Sequence, residues 1–132
     1  MSQRFPPGAR LRRRREFSDV FEAGVKRHGP LMTVVALAKV DGPARLGVAA
    51  SRKVGSAVER NLAKRRLREL FRKSARPDAL DLVVIPKRPL LRATFTAAEI
   101  EFTGLLNWAI RHARRPSARP PSSPRPGADR SV

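Results

Sequence analysis

Residues 53–69 read Lys-Val-Gly-Ser-Ala-Val-Glu-Arg-Asn-Leu-Ala-Lys-Arg-Arg-Leu-Arg-Glu. Ser56 stands three residues before Glu59, the capping-box spacing: the hydroxyl can accept the Glu59 N–H, and the carboxylate can reach back to the Ser56 amide. Beyond that cap, Ala63, Leu67, Leu70 and Phe71 share one face at about 100° per residue, while Asn61, Lys64, Arg65, Arg68 and Arg72 share another. The pattern predicts a helix over about 57–75, ended before Pro77, with one face in a core and a cationic strip outside. Up to Lys73, the cations Lys53, Arg60, Lys64, Arg65, Arg66, Arg68, Arg72 and Lys73 meet only Glu59 and Glu69. Pairs such as Lys64–Arg68 repel at i,i+4 by a few tenths of a kcal/mol each. A polyanionic partner would offset that cost.

The rest of the chain carries the same bias. Its formal charge is +18 over 132 residues, with a pI near 12. Such an excess implies salt-sensitive attraction to polyanions through counterion release. A membrane-surface helix would oppose its basic face with large apolar residues and boundary aromatics, and this helix offers a narrow stripe with one Phe. No apolar run reaches the ~18 residues of a bilayer span. The first residues run into arginines without a hydrophobic segment, which predicts no secretory signal. Cysteine is absent, which fits a reducing cytosol and leaves no thiolate metal site. A cytoplasmic, nucleic-acid-binding chain is expected.

Around the basic helix the elements order themselves. Residues 1–11 form a flexible basic arm, 12–115 a single domain, and 116–132 a disordered Pro/Arg/Ser-rich tail. Glu16–Ala23 reads as a short helix stopped by Gly24. Leu31–Val40 and Leu46–Ala50 read as strands joined through Asp41-Gly42-Pro43 as a hairpin. An extra short strand fits near Val25–His28. Leu82–Ile85, apolar throughout, is a central strand. Thr96 and Glu99 suggest a second capping box, before a helix burying Phe102, Leu105, Leu106, Ala109 and Ala113. The order α-β-β-(β)-α-β-α is an α+β fold, a single mixed sheet packed with helices.

A catalytic inventory yields nothing: neither His28 nor His112 has a partner that suggests chemistry, Asp78 and Asp81 suit a turn or cap, and no metal-ligand spacing or Ser/His/Asp set occurs. No catalytic and no metal-binding residue is assigned. Phe17 and Phe21, at i,i+4 after Arg12–Arg15, suit either a core or the stacking of bases of single-stranded nucleic acid. Residue reading alone favours the core.

The spacing of Lys53, Gly55, Ala57-Val58, Arg60-Asn61, Lys64-Arg65 and Arg68-Glu69 resembles the signature of the bacterial ribonuclease P protein subunit. So do Arg15-Glu16-Phe17-x-x-Val20-Phe21-x-x-Gly24, the strand ending in Ser51-Arg52-Lys53, and Asp81–Ile85, so that the likeness spans about residues 10–112. The resemblance implies a protein subunit that joins a catalytic RNA, the RNA removing the 5′ leader of precursor tRNA with magnesium. It implies no cofactor bound by the protein alone, no membrane and no obligate protein partner. Lys53, Arg60, Asn61, Lys64, Arg65 and Arg68 would contact the catalytic RNA. Phe17 and Phe21 would line a cleft for the precursor tRNA leader. The resemblance also implies a left-handed βαβ crossover, which general rules disfavour. The chain departs from the family pattern at Leu62, at Pro86-Lys87-Arg88, and in offering Val34 or Val35 where some members place a cleft aromatic. A general RNA chaperone shares the charge. A DNA-binding regulator with 57–73 as recognition helix lacks the preceding helix of a helix-turn-helix.

Overall fold

The computed structural model describes residues 10–11, 13–74 and 78–113. The N-terminal arm up to residue 9 and the tail from 116 lie outside them. Along the chain run α1 (Arg14–Ala23), β1 (Val25–His28), β2 (Met32–Pro43), β3 (Arg45–Val48), α2 (Ala57–Lys73), β4 (Asp78–Pro86), a 3-10 turn (Arg88–Leu91) and α3 (Phe95–His112). The strands make one mixed sheet in the order β1-β2-β4-β3. β1 pairs antiparallel with β2, β2 antiparallel with β4, and β3 parallel with β4.

The apolar segment around Leu82–Ile85 is central, and its place corrects one expectation. β2 and β3 are not a hairpin; β4 lies between them. Alternation along β4 explains why. Leu82 and Val84 face one side and Val83 the other, and all three are completely buried. A strand apolar on both faces gains most from a central position.

The hand of the β3-α2-β4 crossover follows from chirality. The Ala49 N–H donates to the Val84 carbonyl (3.0 Å), so the peptide groups of Val84 point at β3 while its side chain packs with α2. For an L-residue in a strand drawn upward and viewed from its side chain, those groups point right. β3 is thus to the right of β4 as seen from α2, and the chain steps leftward. The crossover is left-handed, against the general preference.

The larger core lies on this face, where Ala63, Leu67, Leu70 and Phe71 of α2 meet Ala98, Phe102, Leu105, Leu106 and Ala109 of α3. That stripe on α2 is the one the sequence predicts. The capping box also forms: Glu59 N–H donates to Ser56 Oγ (3.2 Å) and Ser56 N–H to Glu59 Oε1 (2.8 Å). The hydrogen bond from the Ser56 N–H holds the Glu59 carboxyl below its ordinary value. Gly55 precedes this cap at φ +148°, and a Cβ there would collide with the Glu59 carboxylate. At α3 the sequence places the start two residues late. Thr94 is the N-cap, accepting from the Ala97 N–H (3.0 Å), so Thr96 lies inside the first turn and Glu99 caps nothing.

The opposite face is covered in part by α1, whose Val20 packs with Leu11, Val35 and Val83. Asp81 lies here too, as a buried member of β4 and not as a turn or cap residue. It takes a bidentate pair from Arg45 (2.9 and 2.8 Å), while Arg45 Nη1 donates to Glu16 Oε2 of α1 (3.0 Å). The bonds to Asp81, and then the charges of Asp81 and Glu16, raise the Arg45 pKa above its ordinary value, against the cost of burial. One guanidinium therefore ties β3, β4 and α1 together. With side-chain exposures of 26% for Arg45 and 8% for Asp81, Asp81→Ala leaves a cation half-compensated in a dry setting. It should cost about 2–3 kcal/mol, below the ~3–5 of a fully buried pair. A urea midpoint within error of the unmodified protein would refute this role.

Candidate nucleic-acid interface

Two surfaces meet the chemistry of a polyanion with unpaired bases, and they lie on opposite faces of the sheet. The first is the outer side of α2. Not all of its cations are available. Arg66 donates to the carbonyls of Leu90 and Ala93 (both 2.8 Å), fastening the helix to the 3-10 turn. Arg72 and Lys73 pair with Glu69 at 2.8 and 3.5 Å. Arg60 donates to the Gly55 carbonyl (2.9 Å). The side chains of Lys53, Asn61, Lys64, Arg65 and Arg68 have no hydrogen-bond or carboxylate partner among the described residues; the Lys53 backbone N–H donates to Ser51 Oγ (3.2 Å). Lys53, Asn61 and Arg65 are exposed, while Arg60, Lys64 and Arg68 are half-buried. Burial, and then the charge of neighbouring Arg10, lowers the Arg68 pKa from its ordinary value.

Arg10 extends this strip, a contribution that the sequence hid within the N-terminal arm. Arg10 bridges Leu46 of β3 in parallel, and the Leu11 N–H donates to the Leu46 carbonyl (2.9 Å). The buried side chain of Leu11 is the signal that could have revealed this anchor.

The second surface is the α1 face. Phe17 packs on the smaller core cluster beside Leu37, Ala49 and Ile85. The end of its ring comes down on Gly47: a Cβ there would stand 2.7 Å from Phe17 Cζ, so only glycine admits the ring at this depth. Phe21, one turn on, is 41% exposed. Register brings Lys26 opposite Val35 and His28 opposite Thr33, and the His28 ring bonds Thr33 Oγ1 at 2.9 Å. Val35, not Val34, belongs to this face. The result is a partly apolar floor with one exposed ring and flanking cations. Both readings of the phenylalanine pair thus have a place: Phe17 is largely core, and Phe21 is presented to solvent.

Comparison with known proteins now bears on these surfaces. The Ribonuclease P family model matches residues 5–109. The chain belongs to the ribonuclease P protein family. It is 37% identical over 119 residues to the ribonuclease P protein component of Desulfovibrio desulfuricans, covering 86% of this chain and 92% of the relative. It is 38% identical over 92 residues to that of Thermotoga petrophila, covering 68% and 79%. The solved RNase P protein from Thermotoga maritima superposes with a TM-score of 0.67 at 33% identity, over 80% of this chain and 98% of that one. The left-handed crossover and four-stranded mixed sheet are thus the fold of this family.

The residues that the family resemblance singles out on α2 are, apart from Arg60, ones whose side chains have no hydrogen-bond or carboxylate partner among the described residues, whereas Arg66 beside them is used by the fold. Arg66→Ala should lower stability by about 1.5–3 kcal/mol, because two carbonyls lose a charged donor. Arg65→Ala, one residue earlier, should stay within ~0.5 kcal/mol. Urea unfolding of the two variants checks this directly, and equal losses would mean that the strip is structural throughout.

Proposed function

We propose that this chain, a protein component of ribonuclease P and so part of a ribonucleoprotein endoribonuclease of tRNA 5′ processing, works by gripping two RNAs on opposite faces of its sheet. Arg60, Asn61, Lys64, Arg65 and Arg68 on α2, with Lys53 beside its start, hold the catalytic RNA. Phe21, on the floor built around Phe17, holds the single-stranded leader of precursor tRNA. The observation that carries this reading is the division of the α2 cations. Those tied internally, Arg66, Arg72 and Lys73, serve the fold, whereas the strip at 64, 65 and 68 has no carboxylate partner among the described residues.

The chain's own residues bind and orient; they do not break the phosphodiester. Among the described residues no three His, Cys, Asp or Glu side chains gather to hold a metal. Glu16 and Asp81 are engaged by Arg45, Glu59 caps α2, Glu69 pairs with Arg72, and Glu101 accepts from the Leu31 and Met32 amides. These carboxylates do not fit a magnesium site, and the magnesium of the holoenzyme is assigned to the RNA. No described helix is long and apolar enough to cross a membrane, and the cytoplasm, where precursor tRNA is found, is the proposed location.

RNA-free protein should leave precursor tRNA intact, and adding a bacterial ribonuclease P RNA with magnesium should give cleavage at one position. Specific cleavage by the protein alone contradicts the assignment. Arg65→Ala with Arg68→Ala should flatten the plot of log affinity for the catalytic RNA against log salt, by up to about one unit per lost phosphate contact. An unchanged slope in a folded variant would make the strip a merely solvated face. Phe21→Ala should weaken holoenzyme binding of leader-bearing precursor about five-fold or more, the scale of a base–aromatic contact, while mature tRNA binding holds. Phe17→Ala should instead lower the melting temperature as well, since its ring is part of the core.

A further inference from the structure

The far edge of the sheet carries an aromatic and cationic cluster that neither surface above includes. Trp108, the single tryptophan of the chain, packs with one part against the main core. One helical turn later, His112 stacks on it with ring centroids 4.8 Å apart and planes 18° from parallel. The His112 ring is held in that plane because its Nδ1 donates to the Trp108 carbonyl (2.9 Å), which turns Nε2 outward. From β1 the Arg27 guanidinium sits 5.3 Å from the centre of the Trp108 ring, a cation–π distance.

The charge around this stack is of one sign. Arg27, Arg111 and His112 are exposed, and neither arginine has a carboxylate partner among the described residues. From Phe102 to His112 the helix has no Asp or Glu, and β1 has none. The nearest acid on α3, Glu101, is spent on the amides of Leu31 and Met32. A histidine that served only to cover Trp108 would need no surrounding cations. A ring held nearly parallel to an indole and exposed to water, with the Arg27 guanidinium against the same indole and Arg111 next to it in the chain, matches the two halves of a nucleotide: a flat base and a phosphate.

We propose that Arg27, Trp108 and His112 form a stacking platform for an unpaired base of single-stranded RNA at the β1 edge, separate from the α2 strip and the α1 face. The base stacks on the outer face of His112, continuing the Trp108–His112 column, and Arg27 and Arg111 hold the adjoining phosphates. β1 and β3 are the two outer strands of the sheet, so the platform lies across the sheet from Arg10. RNA held there gives the protein a single-strand contact beyond its leader surface. The idea borrows its partner from the RNA-binding role proposed above, but its test does not involve cleavage, so either can fail alone.

Because the chain has one Trp and no Tyr, its ultraviolet emission reports on this site by itself. Titrating the full-length protein with a ten-nucleotide oligoadenylate should quench that emission to saturation. An abasic oligomer with the same number of phosphates should bind, as followed by anisotropy, without quenching. His112→Lys removes the ring and puts a cation in its place; it should leave the protein folded by far-ultraviolet circular dichroism and raise the half-saturation of the quench about five-fold or more. The quench should persist in Phe21→Ala. Saturable binding of oligoadenylate with no change in emission would overturn the platform. So would equal quenching by the abasic oligomer, an unaltered curve for His112→Lys, or loss of the quench in Phe21→Ala.

Discussion

Everything in this fold hangs on β4, a strand that buries side chains on both of its faces. Leu82 and Val84 fill the core under α2 and α3, and Val83 fills the smaller one under α1. A strand of that kind must be interior, and placing it between β2 and β3 forces the chain to travel from β3 to β4 across one face. The segment that makes the journey is α2. The same constraint leaves the other face to α1, so the cationic helix and the phenylalanine pair cannot share a surface. Two separate surfaces follow from one buried strand.

Electrostatics then sorts the cations. A chain of charge +18 has far more positive groups than its carboxylates can neutralise, and the fold uses the few acids it has at structural joints. Asp81 and Glu16 are spent on Arg45, Glu69 on Arg72 and Lys73, Glu59 on the cap of α2. Among the described residues, the outer side of α2 and the β1 edge both keep cations without a carboxylate partner. In the protein alone these charges repel; beside phosphates they release counterions and gain affinity. In the proposed reading, stability and binding draw, Arg60 apart, on different members of the same set of residues.

Much of this was legible in the sequence, and the failures have physical causes. The apolar stripe Ala63, Leu67, Leu70, Phe71 and the Ser56–Glu59 cap are local patterns, so periodicity and spacing recover them. The short strand at Val25–His28 was visible for the same reason. Strand order was not. Asp41-Gly42-Pro43 looks like a hairpin turn, and nothing nearby says that a strand some forty residues later will separate its two arms; that is a non-local consequence of β4. Asp81 beside Asp78 reads as a turn until the register sets it against Arg45. For the site, residue types gave the strip, but only contacts distinguish Arg66, bound to Leu90 and Ala93, from Arg65 next to it. Phe17 and Phe21 are alike in sequence, and Gly47 makes them different by letting one ring sink onto the sheet.

The central claim is that opposite faces of one sheet hold different RNAs at the same time. The absence of cysteine permits a direct measurement: a photo-crosslinker placed through Arg65→Cys or Phe21→Cys, each in the assembled complex of protein, catalytic RNA and leader-bearing precursor tRNA. The probe at position 65 should attach to the catalytic RNA and not to the leader, and the probe at position 21 to the leader and not to the catalytic RNA. Both probes reaching the same RNA, or the two targets exchanged, would contradict the division of labour between the faces.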